Sequence, residues 1–285
     1  MTLQLRQLAV VGVGLIGGSV ARAARLRGVA ARVVGIDTDA GHRERAVRLG
    51  LLDEASADLR AAAAAEVVVF CTPVDRIAAG VRELAPACAA GTLLTDAGST
   101  KAAIVRAVGP LPAGIAFVGS HPLAGSEKHG PEHADADLFQ GRLAVVPPTP
   151  QTDPEAVGRV TALWEALGAR VRLMDPEEHD RALALTSHLP HVVASALAGV
   201  LPPELYGLAA TGFRDTTRLA ASNPGLWAAI CLQNAPALLE ALAQFGDLLE
   251  GFRMALAASD GERLAELFGE GKRIKQELEV SERGG

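Results

Sequence analysis

The sequence predicts an α/β protein in two parts: an N-terminal Rossmann-type domain built on a parallel sheet over residues 1–174, then an all-helical domain over 175–285. Three observations predict it. Gly12-Val13-Gly14-Leu15-Ile16-Gly17-Gly18 stands directly behind the apolar run Leu8-Ala9-Val10-Val11, so a strand turns sharply into a helix. Apolar runs of strand length then recur between helical segments as far as Met174, the pattern of a parallel sheet covered on both faces. After Asp175-Pro176 no strand pattern remains.

In chain order, the first strand ends in the glycine motif, whose free backbone amides suit a pyrophosphate. Gly12 permits the tight turn, Gly14 lets the diphosphate approach, and Gly17 lets helix and strand pack closely, with Leu15 and Ile16 in the same turn. A helix over Ser19 to Arg27 leads to the strand Arg32 to Ile36, which ends in Asp37. That carboxylate lies about 20 residues beyond the motif, where an acid accepts hydrogen bonds from a ribose. It favours NAD over NADP, because it repels a 2′-phosphate. Further strands are expected at Glu66 to Cys71, Thr92 to Asp96, Ile115 to Gly119, Leu143 to Val146 and Arg170 to Met174. Thr72 and Pro73, just past the third strand, join the expected cofactor-binding set.

In the helical half, Asp175 is a good N-cap, Pro176 suits the first helical position, and Glu178 completes a capping pair. Asn223-Pro224 starts a helix expected to run to about Ser259, roughly 50 Å at 1.5 Å per residue. Its leucines, with Trp227 and Phe252, do not fit one narrow stripe, so a partner subunit of a homodimer is the expected cover. Ser259-Asp260-Gly261-Glu262 reads as a capping box for a last, more polar helix.

The net charge of −6 argues against nucleic acid or an anionic membrane as partner, so an anionic substrate must be met by local positive charge. The three cysteines, Cys71, Cys88 and Cys231, have no metal-binding spacing and read as small buried apolar groups in a reducing compartment. The N-terminus opens into the first strand without a signal peptide, and no apolar run approaches the ~20 residues of a membrane helix. A cytoplasmic location is expected.

Four clusters carry candidate chemistry. Ser120-His121-Pro122-Leu123-Ala124-Gly125-Ser126-Glu127 follows the fifth strand, at the carboxyl edge where open α/β sheets bind ligands. There His121 can accept a proton from a substrate hydroxyl. Ser99, in Asp96-Ala97-Gly98-Ser99-Thr100-Lys101, is an evident N-cap for the next helix, a role compatible with facing His121. In Ser187-His188-Leu189-Pro190-His191, Asp180, Ala184, His188 and His191 fall near one helical face, and Pro190 should kink or break the helix. Two histidines without a third ligand do not predict a metal. Gly212-Phe213-Arg214-Asp215 leads to Arg218, which can pair bidentately with a carboxylate.

These motifs, in this order along nearly the whole chain, resemble the prephenate dehydrogenase family. The resemblance implies a Rossmann domain followed by a helical dimerisation domain, NAD as cofactor, prephenate as substrate and no metal. It implies His121 as the catalytic histidine and Ser99 as the serine beside the substrate hydroxyl. Arg218 then receives a substrate carboxylate, His191 and Glu127 line the pocket, and Trp227 lies near it. Ser126 and His188 complete the expected substrate-binding set. The implied reaction draws the substrate hydroxyl proton to neutral His121 while CO2 leaves and the ring becomes aromatic, so kcat/KM should fall at acid pH around the ordinary histidine pKa near 6.5. Arogenate dehydrogenase is the nearest alternative. A β-hydroxyacid or imine reductase and a silent NAD-binding sensor are more distant ones.

Overall fold

The computed structural model describes residues 3–125 and 128–283. The chain runs β1 (Leu5–Val11), α1 (Leu15–Leu26), β2 (Ala30–Ile36), α2 (Ala40–Arg48), β3 (Glu54–Ser56), β4 (Val67–Phe70), α3 (Val74–Leu84), β5 (Leu93–Asp96), α4 (Ala102–Val108) and β6 (Ala116–Val118). It continues with β7 (His121–Pro122), β8 (Leu143–Val146), α5 (Pro154–Ala166) and β9 (Arg170–Leu173). The helices α6 (Pro176–Leu183), α7 (Leu189–Val200), α8 (Thr211–Thr217), α9 (Pro224–Gln233), α10 (Ala235–Ala257) and α11 (Gly261–Arg283) follow.

Six parallel strands form one sheet in the order β3-β2-β1-β4-β5-β6. Successive residues of β1 point to opposite faces, as a strand requires. Leu8 and Val10 join a core with Val20, Val33, Leu163 and Trp164, whereas Ala9 and Val11 pack with Phe70, Ile77, Val81 and Leu94. α1 begins at Leu15 rather than Ser19, because Gly17 and Gly18 lie inside the helix, where its close packing demands residues without side chains. The short β3, with one alanine between Glu54 and Ser56, carries no apolar run and escapes sequence reading. The last two expected strands leave the main sheet. They form a second sheet, β7-β8-β9, because His121 pairs antiparallel with Val145 while β8 runs parallel to β9.

Pro190 does not break its helix. A π turn over Ala184–His188, closed by Leu189 N donating to the Ala184 carbonyl, joins α6 to α7, and Pro190 stands in the first turn of α7, where a missing N–H is tolerated. The resulting helix, Pro176–Val200, is 25 residues long and apolar enough by length and composition to cross a bilayer, contrary to the expectation that no such run exists. Leu183, Ala184, His188 and Ala194 are nevertheless buried against the rest of the fold. The helix expected from Asn223 to Ser259 is two helices, α9 and α10, separated at Asn234. Pro236 supplies the reason: it has no N–H for the Leu232 carbonyl, and its ring crowds that oxygen.

The chain forms two compact units that divide between Ala235 and Pro236. The change of pattern at Asp175 is therefore not a break in packing: Ile230 of α9 joins the core beneath the sheet, and Asp180 of α6 bonds the start of α4. The second unit pairs α10 with α11 through Phe252 and Phe268, whose rings meet edge-on at 5.1 Å. Ser259 stands in the left-handed region (φ 53°), and Asp260, not Ser259, caps α11 by accepting from Arg263 N at 2.9 Å.

Candidate active site

The glycine turn is a cradle with one open wall. A Cβ on Gly12, whose φ is +90°, would lie 2.8 Å from the Cys71 carbonyl, and one on Gly17 would lie 1.9 Å from Gly12 O. Among the described residues nothing lies within 4 Å of a Cβ placed on Gly14, the N-cap residue of α1, and no side chain caps that helix. Leu15 and Ile16 form its half-buried first turn. The amides at this positive helix end therefore face open space, the shape and field a diphosphate needs. Thr72 Oγ is buried beside the turn without a hydrogen-bond partner among the described residues, and Pro73 is the N-cap residue of α3. Asp37 closes the other side: its carboxylate accepts from Val13 N at 2.8 Å and from Asp39 N at 2.9 Å, while Arg43 donates to the Asp37 carbonyl. These residues fit a dinucleotide.

At the carboxyl ends of β5 and β6 a buried knot fixes the backbone before His121. Asp96 accepts from Ser120 N and Gly98 N and pairs with Lys101, which also donates to the Ser120 carbonyl. Ser120 Oγ is further held by Thr95 Oγ and Trp164 Nε1 at 2.9 and 2.8 Å. Burial pulls the Lys101 ammonium below its ordinary pKa against the attraction of Asp96. With its amide, carbonyl and hydroxyl all engaged, Ser120 leaves the next residue little freedom.

His121 then meets His179 of α6, which is itself held by Asp180. Its Nδ1 lies 2.9 Å from His179 Nε2, and His179 Nδ1 lies 2.8 Å from Asp180 Oδ1. The acceptors fix the protons. A carboxylate oxygen accepts, so His179 donates to it from Nδ1; with Nε2 then offering its lone pair, His121 donates from Nδ1. The remaining nitrogen of His121, Nε2, is a base. Burial first, then the neighbouring histidines and Lys101, hold His121 well below the ordinary histidine pKa, so it is neutral at physiological pH. The acid limb expected near 6.5 from sequence therefore moves lower.

Asp180 also caps α4. Ser99 does not cap α4: Lys101 N and Ala102 N donate to the two oxygens of Asp180, at 2.8 and 2.9 Å. Ser99 is half-buried in the loop between β5 and α4, its hydroxyl spared that duty. His179 escaped sequence reading. The available signal was the buried stripe Pro176, His179, Asp180 and Leu183 behind the Asp175 cap, an apolar face carrying two polar residues.

On α7 and α9 a second group gathers. His191 stacks on Trp227, with ring centroids 3.4 Å apart, and its Nδ1 donates to the Ser187 carbonyl at 2.9 Å, leaving Nε2 to accept. Burial, with a contribution from Arg218, lowers the His191 pKa. Arg218 begins the 3-10 turn after α8 rather than a loop; it is exposed and in no ion pair among the described residues. His188 is buried and meets Trp227 edge-on at 6.1 Å. A cavity of about 530 Å³ borders His191, Ser195, Leu219, Ser222, Trp227 and Cys231, within the usual ligand-pocket range. His121 and Ser99 are not in its lining, so it adjoins the helical group alone. Ser126 and Glu127 lie outside the described residues.

A glycine-cradled nucleotide end and a neutral histidine base at a sheet edge define a nucleotide-dependent oxidoreductase fold. Residues 20–173 match the prephenate dehydrogenase nucleotide-binding domain, and residues 175–270 match the dimerisation domain of the same family. The chain belongs to the prephenate dehydrogenase family. It is 37% identical to the cyclohexadienyl dehydrogenase of Zymomonas mobilis, over 96% of this chain and 97% of that one. Among solved structures it is similar to prephenate dehydrogenase of Aquifex aeolicus in complex with hydroxyphenyl propionate and NAD+, at 31% identity and a TM-score of 0.89, covering 98% of this chain and all of that one. It is also similar to Synechocystis arogenate dehydrogenase, at 32% identity and a TM-score of 0.80, covering 95% of this chain and 99% of that one.

Proposed function

We propose that this protein catalyses the oxidative decarboxylation of prephenate to 4-hydroxyphenylpyruvate, a step of tyrosine biosynthesis, with NAD as cofactor. The hydrogen-bonded series Asp180–His179–His121 carries the reading, because it leaves a neutral base with its lone pair on Nε2. NAD, held by Gly12, Gly14, Leu15, Ile16, Gly17, Asp37, Thr72 and Pro73, supplies the hydride acceptor. His121 Nε2 takes the proton of the substrate hydroxyl, with Ser99 beside that oxygen. As the hydroxyl-bearing carbon gives up its hydride and takes on carbonyl character, CO2 leaves the opposite ring carbon, its electron pair completes the aromatic ring, and His121 returns the proton to the resulting phenolate oxygen. Arg218 pairs with a substrate carboxylate, which answers the acidity of the chain as a whole. His191, stacked on Trp227, lines the pocket with His188, Ser126 and Glu127.

In this reading residues 1–174 bind the nucleotide, and residues 175–285 supply the substrate pocket and the homodimer contact. Leu239, Leu248, Leu249, Leu256 and Phe268 of the second unit are each more than half exposed in the single chain, which supports that contact. The test is NAD reduction followed at 340 nm with prephenate and with arogenate. We expect the greater kcat/KM with prephenate, and a loss of roughly 10²–10⁴-fold in kcat for His121→Asn, the usual range for a missing acid–base group. A preference for arogenate would replace the substrate and keep the chemistry. An active His121→Asn enzyme would remove the mechanism.

A further inference from the structure

His188 is 1% exposed, and its Nε2 is buried without a hydrogen-bond partner among the described residues. Its other nitrogen is accounted for by Asn234, the residue at the break between α9 and α10. Asn234 Nδ2 lies 2.7 Å from the Asp180 carbonyl and 3.0 Å from His188 Nδ1. The carbonyl only accepts, so the nitrogen side of the amide must face it, and its second hydrogen is directed to His188. An imidazole nitrogen that accepts carries no proton. His188 is therefore the tautomer protonated on Nε2, and a buried N–H is left without an acceptor.

Burial holds the His188 pKa down at about 4, so the ring is neutral and the tautomer question is real rather than hidden by a second proton. The ring meets Trp227 edge-on at 6.1 Å, the same indole on which His191 stacks. A buried donor without a partner is costly in a folded protein, and native proteins keep few of them, most often where the group has a role.

We propose that Asn234 is a positioning residue that fixes His188 as the Nε2–H tautomer, and that this N–H donates to an acceptor oxygen of the bound substrate. The second half rests on the function proposed above; the first half does not. Asn234 has no need to touch substrate. Its two amide hydrogens tie the end of α9 to the backbone of α6 and set the polarity of the ring on the π turn.

Two measurements test this on the full-length enzyme. Long-range 15N–1H correlation of the histidine rings, with His188 assigned by its loss in His188→Gln, should show Nε2 protonated and Nδ1 bare. A ring protonated on Nδ1 overturns the tautomer assignment. Kinetically, His188→Leu should raise the substrate KM by about 10- to 100-fold, as expected for a lost hydrogen bond to a charged acceptor. The Kd for NAD should not change. His188→Gln, which carries an amide N–H near the position of Nε2, should recover most of that loss. An unchanged KM in a folded His188→Leu enzyme overturns the substrate contact, as does a Gln variant no better than Leu. The two readings fail separately. A wild-type enzyme that turns over neither prephenate nor arogenate removes the proposed function, whereas normal turnover with an unaffected KM in His188→Leu removes this inference alone.

Discussion

His179→Leu isolates the tautomer argument. His179 is fully buried and His121 is 9% exposed, so no bulk water replaces the lost acceptor. His121 Nδ1 then either stays protonated and unpaired or passes its proton to Nε2, where the ring can no longer act as a base. A buried donor left unsatisfied costs about 1–3 kcal/mol. At 1.36 kcal/mol per tenfold, that is roughly 5- to 150-fold in kcat. The substitution is cleaner than one at Asp180, because Asp180 keeps its bonds to Lys101 N and Ala102 N and α4 keeps its cap. Initial rates at 340 nm should show kcat falling while KM moves far less, with circular dichroism confirming the fold. His179→Gln should recover part of the loss, since its carbonyl oxygen can accept from His121. A folded His179→Leu enzyme with wild-type kcat would refute the reasoning.

Arg218→Ala should raise the KM for prephenate by roughly 10- to 150-fold, from about 1.5–3 kcal/mol of charge-assisted bonding, with the Kd for NAD unmoved; equal weakening of both would make the residue structural. Asp37→Ser should narrow the preference for NAD over NADP, because it removes the charge that repels a 2′-phosphate and leaves Arg43 nearby; ratios of kcat/KM with the two nucleotides read this directly, and an unchanged ratio counts against the role of Asp37. Stability should fall as the solution is acidified from pH 6.5 toward 4. His188 has its folded pKa depressed to about 4, so the unfolded chain binds a proton first in that window, and up to about 3 kcal/mol present above pH 6.5 is lost. Urea unfolding at the two ends of the window should show a smaller drop for His188→Gln than for the wild type. The acid limb of kcat/KM should lie below the ordinary histidine value, since burial lowers the His121 pKa; a limb at or above 6.5 would contradict its burial as a neutral base.

Local chemistry determined much of this protein from its sequence alone. The glycine turn, the strand before it and the acid at the end of β2 obey rules that act within a few residues: backbone conformation, side-chain crowding and apolar periodicity. The same is true of the Asp175 cap, whose side chain accepts from Glu177 N and Glu178 N. Tertiary structure decided what those rules do not reach. The serine before α4 is locally a good cap, yet Asp180 takes the position from 78 residues away, because a carboxylate satisfies two free amides at once. Pro190 is locally a helix breaker, yet a π turn carries the helix past it. The separate sheet β7-β8-β9 depends on pairing partners far apart in the chain. Most of all, the proton positions on His121 and His188 are set by His179 and Asn234, 58 and 46 residues away in sequence. A histidine motif shows which residue can be a base, but the tautomer depends on the acceptor that the fold brings to its other nitrogen.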